Sequence, residues 1–406
     1  MILPRRQVLT GAALIAGSML IPRIAAAATG RDRRLVVVML RGGMDGLAAI
    51  EPHGDPAFAA LRPPIDPATM PAGATIAPTL PLDGFYRAHG ALKTLAAMFA
   101  SKQAIIFHAI ASPYRGRSHF DAQEVLESGL TREAMGADSG WLNRALAAIP
   151  MQPGERADAV AVAATTPLLL RGAAPVESWQ PQVLPYADPD LCERLLALYS
   201  ARDPALAQAL QNGIGVDAFL SATDDPQKMG RKGPADSPAG FPAAMQSLAA
   251  LMTRANGPRI AMLNYDGWDT HAMEIGRLNG QLAALDAGLA NLRQGLGPVW
   301  NDSAVLFITE FGRTARINGT KGTDHGTGGV AFLVGGAVNG GRVVADWPGV
   351  TDAALLQGRD LRPTTDIRAV AKGIFTDAFG LDRQRLDGSV FPDSAAIAPM
   401  RGLIRA

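Results

Sequence analysis

Runs of consecutive apolar residues punctuate the chain. Arg34 to Leu40 reads RLVVVML and stops at Arg41-Gly42-Gly43. A near-continuous β-branched run of this kind suits a strand buried on both faces. Similar runs occupy Ala104 to Phe107, Val160 to Ala163, Ile260 to Leu263, Ala304 to Thr309 and Val330 to Val334. Helical patterns lie between them. The clearest spans about His271 to Leu296, where Ile275, Leu278, Leu282, Leu285, Leu289, Leu292 and Leu296 step by three and four. Strands that alternate with helices predict an α/β fold, with a mostly parallel sheet covered by helices on both faces. Two stretches, near 61–84 and 221–240, are rich in loop formers and read as excursions from a single domain over 30–406.

With 48% hydrophobic residues and 18% charged ones, the 406-residue chain can bury a large core. Its formal net charge of +1 and the lack of any basic run beyond arginine pairs argue against a nucleic-acid partner. The first residues pair Arg5-Arg6 with an apolar stretch and then Ala25 to Ala28. That order predicts a twin-arginine signal over 1–28, delivery through the twin-arginine translocon, and a periplasmic or secreted protein. The apolar segment is short for a span, so no stable membrane span is expected after the signal is removed. The single cysteine, Cys192, cannot form an internal disulfide and sits in a helical pattern as a small apolar residue.

In an open parallel sheet, ligands bind outside the carboxyl ends of the strands. Carboxylates and imidazoles recur there. Asp45 follows the first strand, and could be a ligand or simply turn the chain after two glycines. Asp266, Asp269 and His271 follow the Ile260 strand. Asp269 and Thr270 are also possible caps for the long helix. Glu310 and Arg313 follow the Ala304 strand, as ligand and cation or as an ion pair. Asp324 and His325 precede the Val330 strand, as ligands or as a loop hydrogen-bond pair. Oxygen donors with imidazole suit Zn, Mn, Mg or Ca, one or two ions per chain, rather than a thiolate-loving metal.

Ser118, His119 and Asp121 open a helical stretch. Ser followed by an acid three residues later reads as a capping box. It also places a hydroxyl, and His119 as a further candidate ligand, at a helix N-terminus that favours anions. Ser118 is therefore the candidate nucleophile, with Ser112 its rival. Arg115 and Arg117 could hold a phosphate or sulfate oxygen, or form a solvated basic loop. No G-x-S-x-G elbow is present, which argues against an ordinary serine hydrolase.

The stretches LRGGMDGL, RSHFDAQ, GWLNRAL, GWDTH, TEFGRT, GTDHG and LRPTTD run from residue 40 to 366. Together they resemble the DUF1501 family of exported bacterial proteins. The resemblance implies a three-layer alkaline phosphatase-like core, the superfamily of sulfatases and cofactor-independent phosphoglycerate mutases. It implies Asp45 at one metal, Asp266 or Asp269 with His271 at a second, and His325 as the last histidine ligand. Glu310 then stands at the strand-end carboxylate place, with Phe311 where a histidine is usual. It also implies a hydrolase of small anionic esters (phosphate, phosphonate or sulfate), using Ser118 with Arg115, Arg117 or Arg313. Ala111-Ser112-Pro113-Tyr114-Arg115 departs from the sulfatase nucleophile motif by placing alanine at its head. The alternative expectation is an exported binding or assembly protein that keeps the fold and one structural metal.

Overall fold

The structure is a computed structural model and describes residues 32–63, 78–131, 136–150, 159–180, 189–223 and 234–406. The expected signal over 1–28 and the centres of both expected excursions lie outside the described residues. Residues 32–406 form one compact unit.

Each apolar run forms a strand: β1 (Arg34–Leu40), β5 (Ala104–Ala111), β6 (Ala159–Val162), β8 (Ile260–Tyr265), β9 (Ser303–Ile308) and β10 (Gly329–Val334). They join β7 (Val176–Trp179), β11 (Arg342–Val344) and β12 (Thr365–Asp366) in one sheet. The strand order is β11-β5-β10-β9-β1-β8-β6-β7, with β12 beside β5. β10 runs antiparallel to β5 and β9, and the other pairings in this sheet are parallel. A second small sheet joins β2 (Ile50–Glu51), β3 (Leu80–Pro81) and β4 (Arg87–Ala88).

Alternate residues of β1 feed two separate cores. Val36, Val38 and Leu40 pack on one face with the helices Phe241–Met252 and Glu274–Leu296. Leu35, Val37 and Met39 pack on the other with Trp141–Ala148 and Ile367–Phe379. This two-faced burial is why the strands read as unbroken apolar runs rather than as alternating patterns. The result is the expected mixed α/β fold, a mostly parallel sheet with helices on both faces. Among the described residues, no helix is long and apolar enough to cross a membrane.

The long helix starts later than its apolar pattern suggests. It begins at Glu274, after Met273 in a left-handed conformation (φ +49°). Neither Asp269 nor Thr270 caps it, and His271 lies in the preceding loop. The apolar stripe begins only at Ile275, so it could not fix where the backbone turns helical.

Leu306 sits in β9 beside Val37 and Leu333 and is fully buried. We expect Leu306→Ala to cost about 2–5 kcal/mol, read from the shift of the urea midpoint at unchanged slope. A loss below about 1 kcal/mol would show that the sheet centre repacks around the void.

Candidate metal centre

β1, β8 and β9 run in the same direction, and their carboxyl ends open on one edge. Because β10 is antiparallel to β9, the loop before β10 returns to that same edge. His325 therefore meets residues that follow parallel strands. Glycines make the approach possible. At Gly42 (φ +118°) a Cβ would lie 2.5 Å from the Asp269 amide nitrogen, and at Gly322 it would lie 2.3 Å from the His271 carbonyl carbon. Gly322 thus lets its loop pass against the one that bears Asp269 and His271.

Three imidazoles converge there on one carboxylate. His271 Nε2 lies 3.0 Å from Asp269 Oδ1 and 2.9 Å from His325 Nε2. His325 Nε2 lies 3.2 Å from Asp269 Oδ1, and His119 Nε2 lies 3.5 Å from Asp269 Oδ2. Donor atoms of His119, Asp269 and His325 all fall within 4.8 Å of one another.

The far side of each ring faces an acceptor. His325 Nδ1 lies 2.8 Å from the Arg117 carbonyl, His119 Nδ1 lies 2.9 Å from Glu310 Oε1, and His271 Nδ1 lies 3.3 Å from Asp324 Oδ1. A carbonyl or carboxylate oxygen only accepts, so a hydrogen on each Nδ1 satisfies all three outer contacts and leaves an Nε2 lone pair turned inward for a cation to take. His119 Nε2 is buried with no hydrogen-bond partner. Bare lone pairs and a carboxylate at these separations repel unless a cation lies among them. Donors bound tetrahedrally at Zn distances would stand about 3.3 Å apart, and the contacts of Asp269 with the three rings, at 3.0, 3.2 and 3.5 Å, lie near that. The donor set therefore fits a metal ion, and its imidazole content suits Zn or Mn better than Mg or Ca. Acceptors behind each ring fix its orientation as outer partners of metal ligands do.

The surroundings hold the charges in place. Glu310 is buried and also accepts from Gly42 N–H at 2.8 Å and Gln123 Nε2 at 3.0 Å. Burial raises its pKa, but the bonds from His119, Gln123 and Gly42 outweigh that and hold the carboxyl below its usual range. The Glu310 bond raises His119, against burial, and the Glu310 and Asp269 charges add to it. Burial lowers His325, opposed by its bond to the Arg117 carbonyl. Burial raises Asp269, but the Arg313 bond and charge, with His271 and His119, bring it below the ordinary value.

Arg313 therefore pairs with Asp269 at 2.6 Å, while Glu310 pairs with His119. Asp324 bonds to His271 and Asn318, not to its neighbour His325. Asp45 lies outside the cluster. It caps a short helix through Ala48 N–H at 3.0 Å and pairs with Arg62 NH1 at 2.7 Å. Arg62 also donates to the carbonyls of Ala315 and Thr314. Asp266 faces solvent on its outer side; loss of hydration, with Asp236 adding, pushes its carboxyl up to about 6.

Ser118 caps the His119–Ser128 helix, its hydroxyl accepting from Asp121 N–H at 3.4 Å. Arg117 bonds Gln357 at 3.0 Å and the fully buried Asp360 at 3.1 Å. Arg115 donates to the carbonyls of Ser112 and Tyr114 in its own loop. Ser112 is buried and accepts from Tyr114 N–H at 3.3 Å. Phe311 forms a wall, its ring 4.8 Å from that of His119 and 5.0 Å from that of His325. Sequence reasoning missed Gln123, Asn318 and Arg62. Only Gln123 left a signal, since it stands one helical turn beyond His119 on the same face.

Because Asp45 is held by Arg62, we expect one metal ion per chain by elemental analysis, lost in His119→Ala and His325→Ala. Protons compete with the ion for His119, whose pKa is raised above the ordinary 6.5. Metal affinity should therefore fall with acidification, with the decline already under way above that pH. Two ions per chain, or full retention in both variants, would contradict this arrangement.

The DUF1501 family model, described as "Protein of unknown function (DUF1501)", matches residues 32–390. No curated protein matches the chain. Among solved structures, the chain is similar to the lipoteichoic acid synthase LtaP of Listeria monocytogenes, at 10% identity and TM-score 0.39, over 92% of this chain and 78% of that one. It is also similar to the zinc complex of the C-terminal periplasmic domain of EptC from Escherichia coli, at 9% identity and TM-score 0.41, over 90% and 88%. A third likeness is to the phosphonate monoester hydrolase of Agrobacterium radiobacter, at 12% identity and TM-score 0.41, over 86% and 74%. With nearly the whole described chain inside one family match, the protein belongs to the DUF1501 family.

Proposed function

We propose that the protein is an exported metal-dependent hydrolase of phosphate, phosphonate or sulfate esters. The convergence of the His119, His271 and His325 Nε2 atoms on Asp269 carries this reading. A divalent ion held by these residues supplies Lewis acidity toward an ester oxygen. Ser118 stands next to His119 at the start of a ten-residue helix, where free N–H groups favour an anion. Its hydroxyl accepts a hydrogen bond in the cap and keeps its own proton to give away, as a nucleophile must. Arg115 lies exposed on the same loop, and its bonds to two backbone carbonyls can be exchanged for bonds to a bound anion. Arg313 acts through Asp269 rather than on substrate, because its side chain is fully enclosed. Arg5-Arg6 and the apolar stretch after it support delivery through the twin-arginine translocon in a folded state, to the periplasm or beyond.

One observation favours a second reading, an exported binding protein with a structural metal. Arg117 and Arg313 are already neutralised by Asp360 and Asp269, which leaves Arg115 as the chief cation of this group open to an anion.

Metal-loaded protein should hydrolyse at least one of the 4-nitrophenyl esters of phosphate, phenylphosphonate and sulfate, and Asp269→Asn should abolish turnover. Ser118→Ala should lower kcat by about 100-fold or more if the serine attacks, and only slightly if water does. Full metal occupancy without turnover of any of the three esters would overturn the hydrolase reading and leave the binding protein.

A further inference from the structure

Beneath the metal centre lies a buried carboxyl that none of the proposed chemistry uses. Glu274 opens the long helix and is almost wholly enclosed. Its Oε1 accepts from Thr270 Oγ1 at 2.7 Å. Thr323 Oγ1 lies 3.2 Å and 3.1 Å from its two carboxyl oxygens. The same Thr323 hydroxyl accepts from Arg313 Nε at 3.2 Å, and the Thr323 carbonyl accepts from the other end of the guanidinium. Arg313 NH1 in turn donates to Asp269 Oδ1 at 2.6 Å. Thr270 and Thr323 are fully buried, as is the Arg313 side chain. A chain of direct contacts thus joins Glu274 to the one carboxylate at the point of convergence.

The charges around Glu274 are nearly balanced without it. Arg62 is paired with Asp45, and Arg313 is paired with Asp269. Its own backbone N–H is satisfied by the Lys321 carbonyl at 2.9 Å. In the metal-free protein an ionised Glu274 would add an uncompensated buried negative charge. A dication at Asp269 reverses that balance and favours the ionised form.

We propose that Glu274 is a positioning residue of the metal centre. Through Thr323 it fixes Arg313, which holds Asp269 in the orientation a cation requires, and it supplies the buried countercharge that a bound cation calls for. Burial, with Asp45 adding and Arg62 opposing, pushes its carboxyl up to about 8. Near neutral pH the metal-free protein therefore carries a proton on Glu274, and loading the ion releases that proton to solvent. Metal affinity should go on rising as pH climbs through about 8, after the imidazoles are already neutral.

The inference rests on the metal reading of the site. Zinc affinity, measured by competition with a weak chelator over a pH series spanning about 8, tests it. Circular dichroism and thermal melting of the metal-free variants serve as fold controls. We expect folded Glu274→Ala to bind zinc about 10- to 100-fold more weakly than wild type, as loss of outer partners of metal ligands does. Glu274→Gln keeps the shape without the charge; it should fold and bind, but lose the rise in affinity through this pH range. A folded Glu274→Ala with wild-type affinity, or a Glu274→Gln profile parallel to that of wild type, would overturn the proposal while leaving the metal centre intact. Failure of wild type itself to bind zinc at any pH would overturn the centre and the inference with it.

Discussion

Three imidazoles turn their Nε2 atoms onto one carboxylate, and with hydrogens on the outer Nδ1 atoms that focus calls for a cation. The rest of the molecule depends on that constraint. Acceptors behind His119, His271 and His325 force the inward orientation, and each acceptor comes from a different part of the chain: Glu310 after β9, Asp324 before β10, and the Arg117 carbonyl ahead of the His119 helix. Such a set of outer partners would be hard to explain as loop packing, since each one enforces the same unfavourable focus.

The fold supplies the focus by topology. Parallel β1, β8 and β9 deliver Gly42, Asp269 and Glu310 to one edge, and antiparallel β10 brings His325 to meet them. Burial of the strands on two faces makes the platform rigid, so the mobile part of the problem is reduced to how two loops pass each other. Gly322 and Gly42 answer that, because any side chain at either place would strike the backbone that bears the ligands. The charged groups divide into a centre open to solvent and a support enclosed beneath it. Asp269 belongs to both, as the candidate ligand on one side and as the partner of Arg313 on the other.

Much of this was legible in the sequence, for a physical reason. Strands buried on both faces must be apolar throughout, so β1, β5, β8, β9 and β10 announced themselves. The placing of Asp269 and His271 at the functional edge followed from strand direction, whereas Asp324 and His325 reach it because β10 runs antiparallel, a reversal that no local pattern announces. What failed to show was which partner each charge takes. Glu310 and Arg313 are close in sequence and invite an ion pair, yet they point to His119 and Asp269. Asp45 looked free to hold a metal because Arg62, which pairs with it, returns from a separate segment that no local pattern ties to it. Glu274 looked like an ordinary first-turn helix residue, since its burial depends on Thr323 from the distant glycine loop. Partner choice is a property of packing, and local spacing does not encode it.

X-ray absorption at the metal edge of the purified, metal-loaded protein tests the central claim most directly. The account expects a shell of three imidazole nitrogens and one carboxylate oxygen at about 2.0–2.2 Å, with the multiple scattering that ring ligands give. A shell of oxygens alone, or one without imidazole scattering, would contradict it and place any bound ion elsewhere.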